Sequence, residues 1–123
     1  MADVKVSRID DIAPYDGPGT IPGIRFRSAG RALGVSAWGM NVLQIDAGCT
    51  GYFEHDHVKD GQEEVYVVLE GEGSLQTAGE ETPLARGTLV RVSASTMRKI
   101  IPGPRGVTVL AIGGIPGKAY PAR

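Results

Sequence analysis

Apolar residues along this chain fall into short runs of four to eleven positions, set apart by glycine, proline and aspartate. The β-like runs are 24–28, 35–45, 51–57, 64–69, 73–77, 88–92, 98–101 and 107–112. Turn-forming residues separate them: Asp46-Ala47-Gly48, Asp60-Gly61, Gly71-Glu72-Gly73, Gly79, Arg86-Gly87 and the stretch 102–106. No segment of useful length carries a helical period, so this regular spacing predicts an all-β sandwich or barrel. Residues 11–23 are rich in Pro, Gly and Asp and read as an irregular arm lying over a sheet. The run Val65-Tyr66-Val67-Val68-Leu69 is apolar on both faces. A facing sheet must cover one side, and a loop, the arm or a second subunit the other. A homodimer is the expectation, with the N-terminal arm as the competing cover.

A chain of 123 residues, 41% of them hydrophobic, is one domain with material for a real core. The formal charge of −1, with no Lys/Arg run, argues against nucleic acid or an anionic membrane surface as partner. Cys49 is the sole cysteine, so no intrachain disulfide is possible and a reducing compartment fits. The start has no apolar leader-like stretch and no run reaches the length of a membrane span, so a cytoplasmic location is expected. No internal repeat or linker is visible. The 18 glycines, well above an average share of about 7%, and the eight prolines suit many short strands joined by tight turns.

The two histidines of the chain, His55 and His57, are two residues apart. On an extended strand, side chains alternate, so both imidazoles would leave one face. Asp60-Gly61 is a strong hairpin signal, and a reversal centred there would set Glu64 directly opposite His57 and Glu63 opposite Val58. Glu64 is therefore the better third ligand. Two exposed histidines beside a surface glutamate is the mundane alternative.

The order Gly48, His55, His57, Glu64, Gly71 resembles the first motif of the cupins, with the six-residue gap from Glu64 to Gly71 and the strand ending Val68-Leu69-Glu70-Gly71. The stretch Gly87 to Arg98 resembles the second motif, with Ser93 and Ser95 where the family has Pro and Gly. Arg98 stands where it has its last metal histidine. Gly48 is one residue further from His55 than usual, and the gap from His57 to Glu64 is longer, which the Asp-Gly turn can absorb. The likeness spans roughly 35–114 and identifies the chain as similar to a small single-domain cupin of the cupin 2 or RmlC-like type. It implies a jelly-roll, double-stranded β-helix barrel over about 24–114, preceded by the arm at 1–23 and followed by a short C-terminal tail. It also implies that His55, His57 and Glu64 hold a metal.

Two imidazoles and a carboxylate suit one divalent transition metal, Fe, Mn, Zn or Ni, rather than Ca²⁺ or Mg²⁺. Open positions on such an ion serve non-haem iron oxygenases, and on Zn²⁺ or Ni²⁺ would activate water or polarise a carbonyl. Arg98 stays protonated and cannot be a ligand. It has three readings: an inward fork for an anionic substrate, an ion pair with Glu64 in a site that has lost its metal, or surface exposure. Tyr66 shares Glu64's face, would pair with His55 in the proposed register, and is expected to line the interior, as substrate contact or core. Trp38, Met40, Phe26, Tyr52 and Phe53 are pocket or core candidates. Cys49 is read as incidental, and Glu54 and Asp56 as facing away from the histidines. The function expected is a metal-binding cupin, perhaps a dioxygenase or isomerase, acting on a small and in one reading anionic molecule. The alternatives are a binding or sensing module without turnover, metal-free or not, and a structural barrel. Fold does not select among them.

Overall fold

The computed structural model describes residues 2–117 and 121. The elements are a 3-10 turn at Ile9–Asp11, β1 (Ile24–Arg27), α1 (Ala29–Leu33), β2 (Gly39–Ile45), β3 (Glu63–Thr77), β4 (Glu80–Ala85), β5 (Leu89–Val92) and β6 (Lys99–Gly114). Two long antiparallel strands organise the chain: β3 and β6 pair from Glu63↔Gly114 to Gln76↔Lys99. The sheet order is β1-β2-β6-β3-β4, with β5 also on β3. Leu43 of β2, Val68 and Leu75 of β3, Leu84 of β4, Val92 of β5 and Ile100 of β6 all belong to one buried cluster. A sheet whose β2 side and β4 edge meet in a single core has curled into a barrel.

Alternation explains the inward rows. On β6, Val107, Val109 and Ala111 are buried, whereas Thr108, Leu110 and Ile112 between them are only partly covered. Val109 is fully buried between Leu43 and Val68, its cross-strand partners. The sharp bend the barrel needs comes from register shifts on β3 between Val68 and Glu70 and between Gly71 and Gly73. Gly71 has φ +73°, and a Cβ there would run into the Gly106 carbonyl.

Four expectations are corrected. Residues 51–57 are not a strand; within them His55 alone forms a β-bridge, to Arg98. The stretches 64–69 and 73–77 are one strand, as are 98–101 and 107–112, because bulges carry the chain through the glycines and prolines. β4 was unread because its only buried residue is Leu84, which leaves no alternation to see. α1 occupies the gap between the runs read at 24–28 and 35–45 and is too short to show a period, and residues 35–38 ahead of β2 are not strand. Gly34 at φ +74° caps it, and Gly30 lets it lie against the Met40 backbone, where a Cβ would be 3.3 Å from the amide nitrogen.

The arm is anchored as expected. Tyr15 N–H donates to the Phe26 carbonyl at 2.7 Å, and the Arg27 guanidinium donates to the Ile12 carbonyl. Residues 7–10 line a cleft with Leu69 and Thr108 on the outer face, so the arm covers one end of the two-faced run. At the other end Val65 and Val67 remain partly covered, and Leu89, paired with Val67, is 69% exposed. Of the expected C-terminal tail, residues 118–120, 122 and 123 lie outside the described residues.

Candidate metal centre

Backbone bonds hold the histidine segment against the end of the barrel. His55 and Arg98 exchange N–H···O bonds of 3.0 and 2.8 Å, and His57 N–H donates to the Ala94 carbonyl at 2.8 Å. The chain then turns: Gly61 N–H reaches back to the His57 carbonyl at 2.7 Å. That is a wider turn than the two-residue hairpin expected, so His57 and Glu64 are not cross-strand partners. Glu64 instead pairs with Val92 on one side and Gly113 on the other, and Tyr66 with Val90 and Ala111 rather than His55. The expected convergence nevertheless occurs. His57 Nε2 lies 3.1 Å from Glu64 Oε1, and one donor atom each from His55, His57 and Glu64 lies within 4.8 Å of the others. The two imidazole rings sit edge to face with centroids 5.2 Å apart.

Each imidazole has its Nδ1 engaged by an acceptor. His55 Nδ1 faces the Phe53 carbonyl at 3.2 Å, and His57 Nδ1 faces both oxygens of Asp60 at 3.0 and 3.1 Å. Because a carbonyl and an ionised carboxylate only accept, Nδ1 carries a proton in both rings, which in the neutral imidazole leaves the lone pair on Nε2. The His57 ring beside Asp60 holds that carboxyl below the usual aspartate range. Asp60 also accepts the Gln62 amide at 3.2 Å, which fixes the carboxylate that orients the ring. Sequence reasoning saw Asp60 only as a turn residue; its i, i+3 spacing from His57 was the available signal.

His57 Nε2 is buried without a hydrogen-bond partner despite the nearby Glu64 oxygen. With the ring neutral, two lone pairs so placed repel unless a cation sits between them; a proton on Nε2 would serve the same contact as an ion pair. The donor set thus fits a metal, with the outer groups that hold ligating histidines in orientation already present.

Arg98 points inward and its side chain is 0% exposed. Nη1 lies 3.3 Å from Glu64 Oε1, Nη2 donates to the Ser93 carbonyl at 2.7 Å, and Nε has no partner. The guanidinium therefore stands behind Glu64, and Arg98 is not among the residues lining the adjacent cavity. Tyr66 does line it and donates its hydroxyl to Glu64 Oε1 at 2.8 Å. Burial, with Tyr52 and the Glu64 charge adding to it, pushes the Tyr66 hydroxyl far above the usual tyrosine range; burial raises Tyr52 as well. Both remain protonated at neutral pH.

A cavity of about 630 Å³ opens beside the triad, within the range of small-molecule sites. His55, His57, Glu64 and Tyr66 contribute to its lining, as do the aromatic candidates Phe26, Tyr52 and Phe53. Trp38 and Met40 do not. The arm supplies Tyr15, Thr20 and Ile21, so it forms part of the binding wall as well as covering the sheet. Cys49 is partly buried and donates weakly to the Pro22 carbonyl. Glu54 faces solvent, and Asp56 accepts from the Val58 amide.

A curled antiparallel barrel carrying two histidines and a carboxylate beside an open cavity is the architecture of small β-barrels with one site at the barrel end. Among solved structures the chain matches a cupin protein from Bacteroides fragilis at 19% identity and TM-score 0.76, covering 100% of this chain and 93% of the other. A predicted oxalate decarboxylase from Thermotoga maritima matches at 20% identity and TM-score 0.72, over 89% and 98% of the two chains. A cupin-superfamily sugar phosphate isomerase from Silicibacter pomeroyi matches at 20% identity and TM-score 0.67, over 87% and 73%. No family model and no curated protein matches the chain. At these identities the likeness is one of fold: the chain has the jelly-roll barrel fold of the cupin structures it matches, as its motifs suggested.

Proposed function

We propose that this chain is a metal-dependent cupin that holds one divalent transition metal on His55, His57 and Glu64 and acts on a small organic molecule in the adjoining cavity. The carrying observation is His57 Nε2, buried and unpartnered, 3.1 Å from Glu64 Oε1 while Asp60 keeps the ring's proton on the other nitrogen. Two nitrogens and one oxygen select Fe, Mn, Zn or Ni over Ca²⁺ and Mg²⁺. When bound, such an ion supplies Lewis acidity and open coordination positions. Dioxygenase chemistry leads the reading for that reason; decarboxylation and isomerisation, which the names of fold neighbours carry, are the alternatives.

The protein's own groups divide the remaining work. Tyr66 and Arg98 hold the Glu64 carboxylate oriented through Oε1. Tyr52 and Phe53 wall the cavity against water. Protonated at neutral pH, the two buried tyrosines do not serve as bases, and Tyr66 donates its hydroxyl to Glu64. The row of partly covered apolar residues on β3, with Leu89, supports a homodimer, to be checked by sedimentation. No helix among the described residues is long and apolar enough to cross a membrane.

Arg98 favours one second reading, a metal-free binding module, because it already neutralises Glu64. Elemental analysis of protein purified without added metal or chelator decides between them. We expect about one equivalent of a first-row transition metal, lost in His57→Ala and Glu64→Ala variants that keep their circular dichroism. Wild-type protein that is empty and takes up neither Mn, Fe nor Zn overturns the metal reading.

A further inference from the structure

We infer that the anion-recognising residue of the cavity is Arg31, and that the ligand is a monocarboxylate with an apolar body. This rests on the proposed cavity reading but not on the metal. Arg31 is the one arginine or lysine lining the cavity, and Glu64 is its one lining carboxylate, already engaged by Arg98 and Tyr66. Among the described residues Arg31 makes no ion pair and no side-chain hydrogen bond. The other arginines of the sheets are committed: Arg25 to Asp46, Arg27 to Gln44 and the arm, Arg91 to Glu63, Arg98 to Glu64 and Arg105 to Glu72. An uncommitted guanidinium at the rim of a cavity has its full donor fork available to a ligand.

Its position is built into the fold. α1 exists to make a five-residue turn between β1 and β2, closed by the left-handed Gly34 and pressed on β2 through Gly30. That docking sets Arg31 on the cavity beside Ser28 and Asn41, which also line it, so one corner gathers a cation and two neutral hydrogen-bonding groups. Apart from the histidine–glutamate side with Tyr52 and Tyr66, the lining offers an apolar wall of Ile21, Ile24, Phe26, Leu43 and Phe53. One cation and hydrocarbon walls suit a singly charged carboxylate, which a guanidinium binds through two parallel hydrogen bonds. A dianionic phosphate would meet one guanidinium with two charges, in a lining that already holds the Glu64 carboxylate. Arg98 carries the inward charge that the second motif suggested, but it is spent on Glu64; Arg31 is the cation the cavity can offer.

The test uses 3-phenylpropionate and its neutral isostere 3-phenylpropanamide as probes, titrated into the full chain by NMR and calorimetry. Wild type should prefer the acid. Arg31→Met, which keeps the aliphatic stem, should weaken the acid about tenfold or more and leave the amide unchanged, with Arg31→Lys in between. Arg31 is exposed, so both variants should fold, and circular dichroism checks it. Measurements with chelated and with Zn²⁺-loaded protein separate the two readings. If Arg31 discriminates acid from amide in both, the inference stands whatever the fate of the metal. Equal losses for acid and amide, no change in Arg31→Met, or no saturable binding of the acid to wild type overturns it.

Discussion

Arg98 Nη1 lies 3.3 Å from Glu64 Oε1, with the guanidinium side chain sealed from solvent. That single contact gives the candidate metal carboxylate a permanent cationic partner. In a metal site it has two opposed consequences: it holds the Glu64 carboxylate in place, and it sets a positive charge near the ion. Removing one member of a buried pair leaves the other uncompensated. Arg98→Met should therefore destabilise the metal-free protein by about 2–4 kcal/mol. Zn²⁺ should restore more stability to the variant than it adds to wild type, because the ion then becomes Glu64's counter-charge. Thermal unfolding with chelator and with Zn²⁺ measures both. Arg98→His goes further, exchanging the repelling charge for a fourth donor. Metal affinity should rise about tenfold or more in competition titrations; equal affinities would mean that this position does not face the ion.

Asp60 is where the metal reading meets an exposed residue. It accepts the His57 Nδ1 proton through both carboxylate oxygens and so fixes the tautomer and the ring plane. Asp60→Asn keeps the size but allows the amide NH₂ to face Nδ1, which would favour the wrong tautomer. Metal affinity should fall about 10- to 100-fold. Stability of the metal-free protein should stay close to that of wild type, as expected for a surface substitution. A variant that loses stability without losing affinity would make Asp60 a turn residue and nothing more.

The sequence made the barrel and its ligands readable for different reasons. Val107, Val109 and Ala111 alternate with Thr108, Leu110 and Ile112, and period two is a direct imprint of one buried face. His55, His57 and Glu64 stood out by chemistry and by resemblance, and they do converge, although by a looped route rather than a paired hairpin. A dipeptide such as Asp60-Gly61 marks a reversal without fixing how many residues it spans. β4 stayed hidden because an edge strand reading Glu-Glu-Thr-Pro-Leu-Ala buries one side chain. α1 stayed hidden because five residues do not complete two turns. With α1 went Arg31, whose place on the cavity depends on tertiary docking that no local pattern records. The buried state of Arg98 was equally illegible, since apolar groups on both of its strand's faces left the phase open.

Val109 tests whether the core and the site are separable. It is fully buried between Leu43 and Val68 and is absent from the cavity lining. Val109→Ala removes two methyl groups from a packed interior and should cost about 1.5–3 kcal/mol in chemical denaturation. Metal affinity should match wild type at temperatures where the variant is folded. A coupled loss of affinity would mean that the triad depends on the packing of the whole barrel.

Gly71 carries the bend that turns β3 from one side of the barrel to the other. Its φ of +73° is left-handed, a region that costs an L-residue roughly 1 kcal/mol or more. The added Cβ would also meet the Gly106 carbonyl, which is backbone and cannot swing away as a side chain would. Gly71→Ala should therefore destabilise by more than the dihedral term alone, about 2–4 kcal/mol. Gly79, also left-handed at φ +81° but with open space where its Cβ would go, supplies the control. Gly79→Ala should cost only the dihedral term, about 1 kcal/mol. Equal costs in the two variants, measured by urea unfolding, would show that the close approach of β3 and β6 at the bulge is not what requires glycine there.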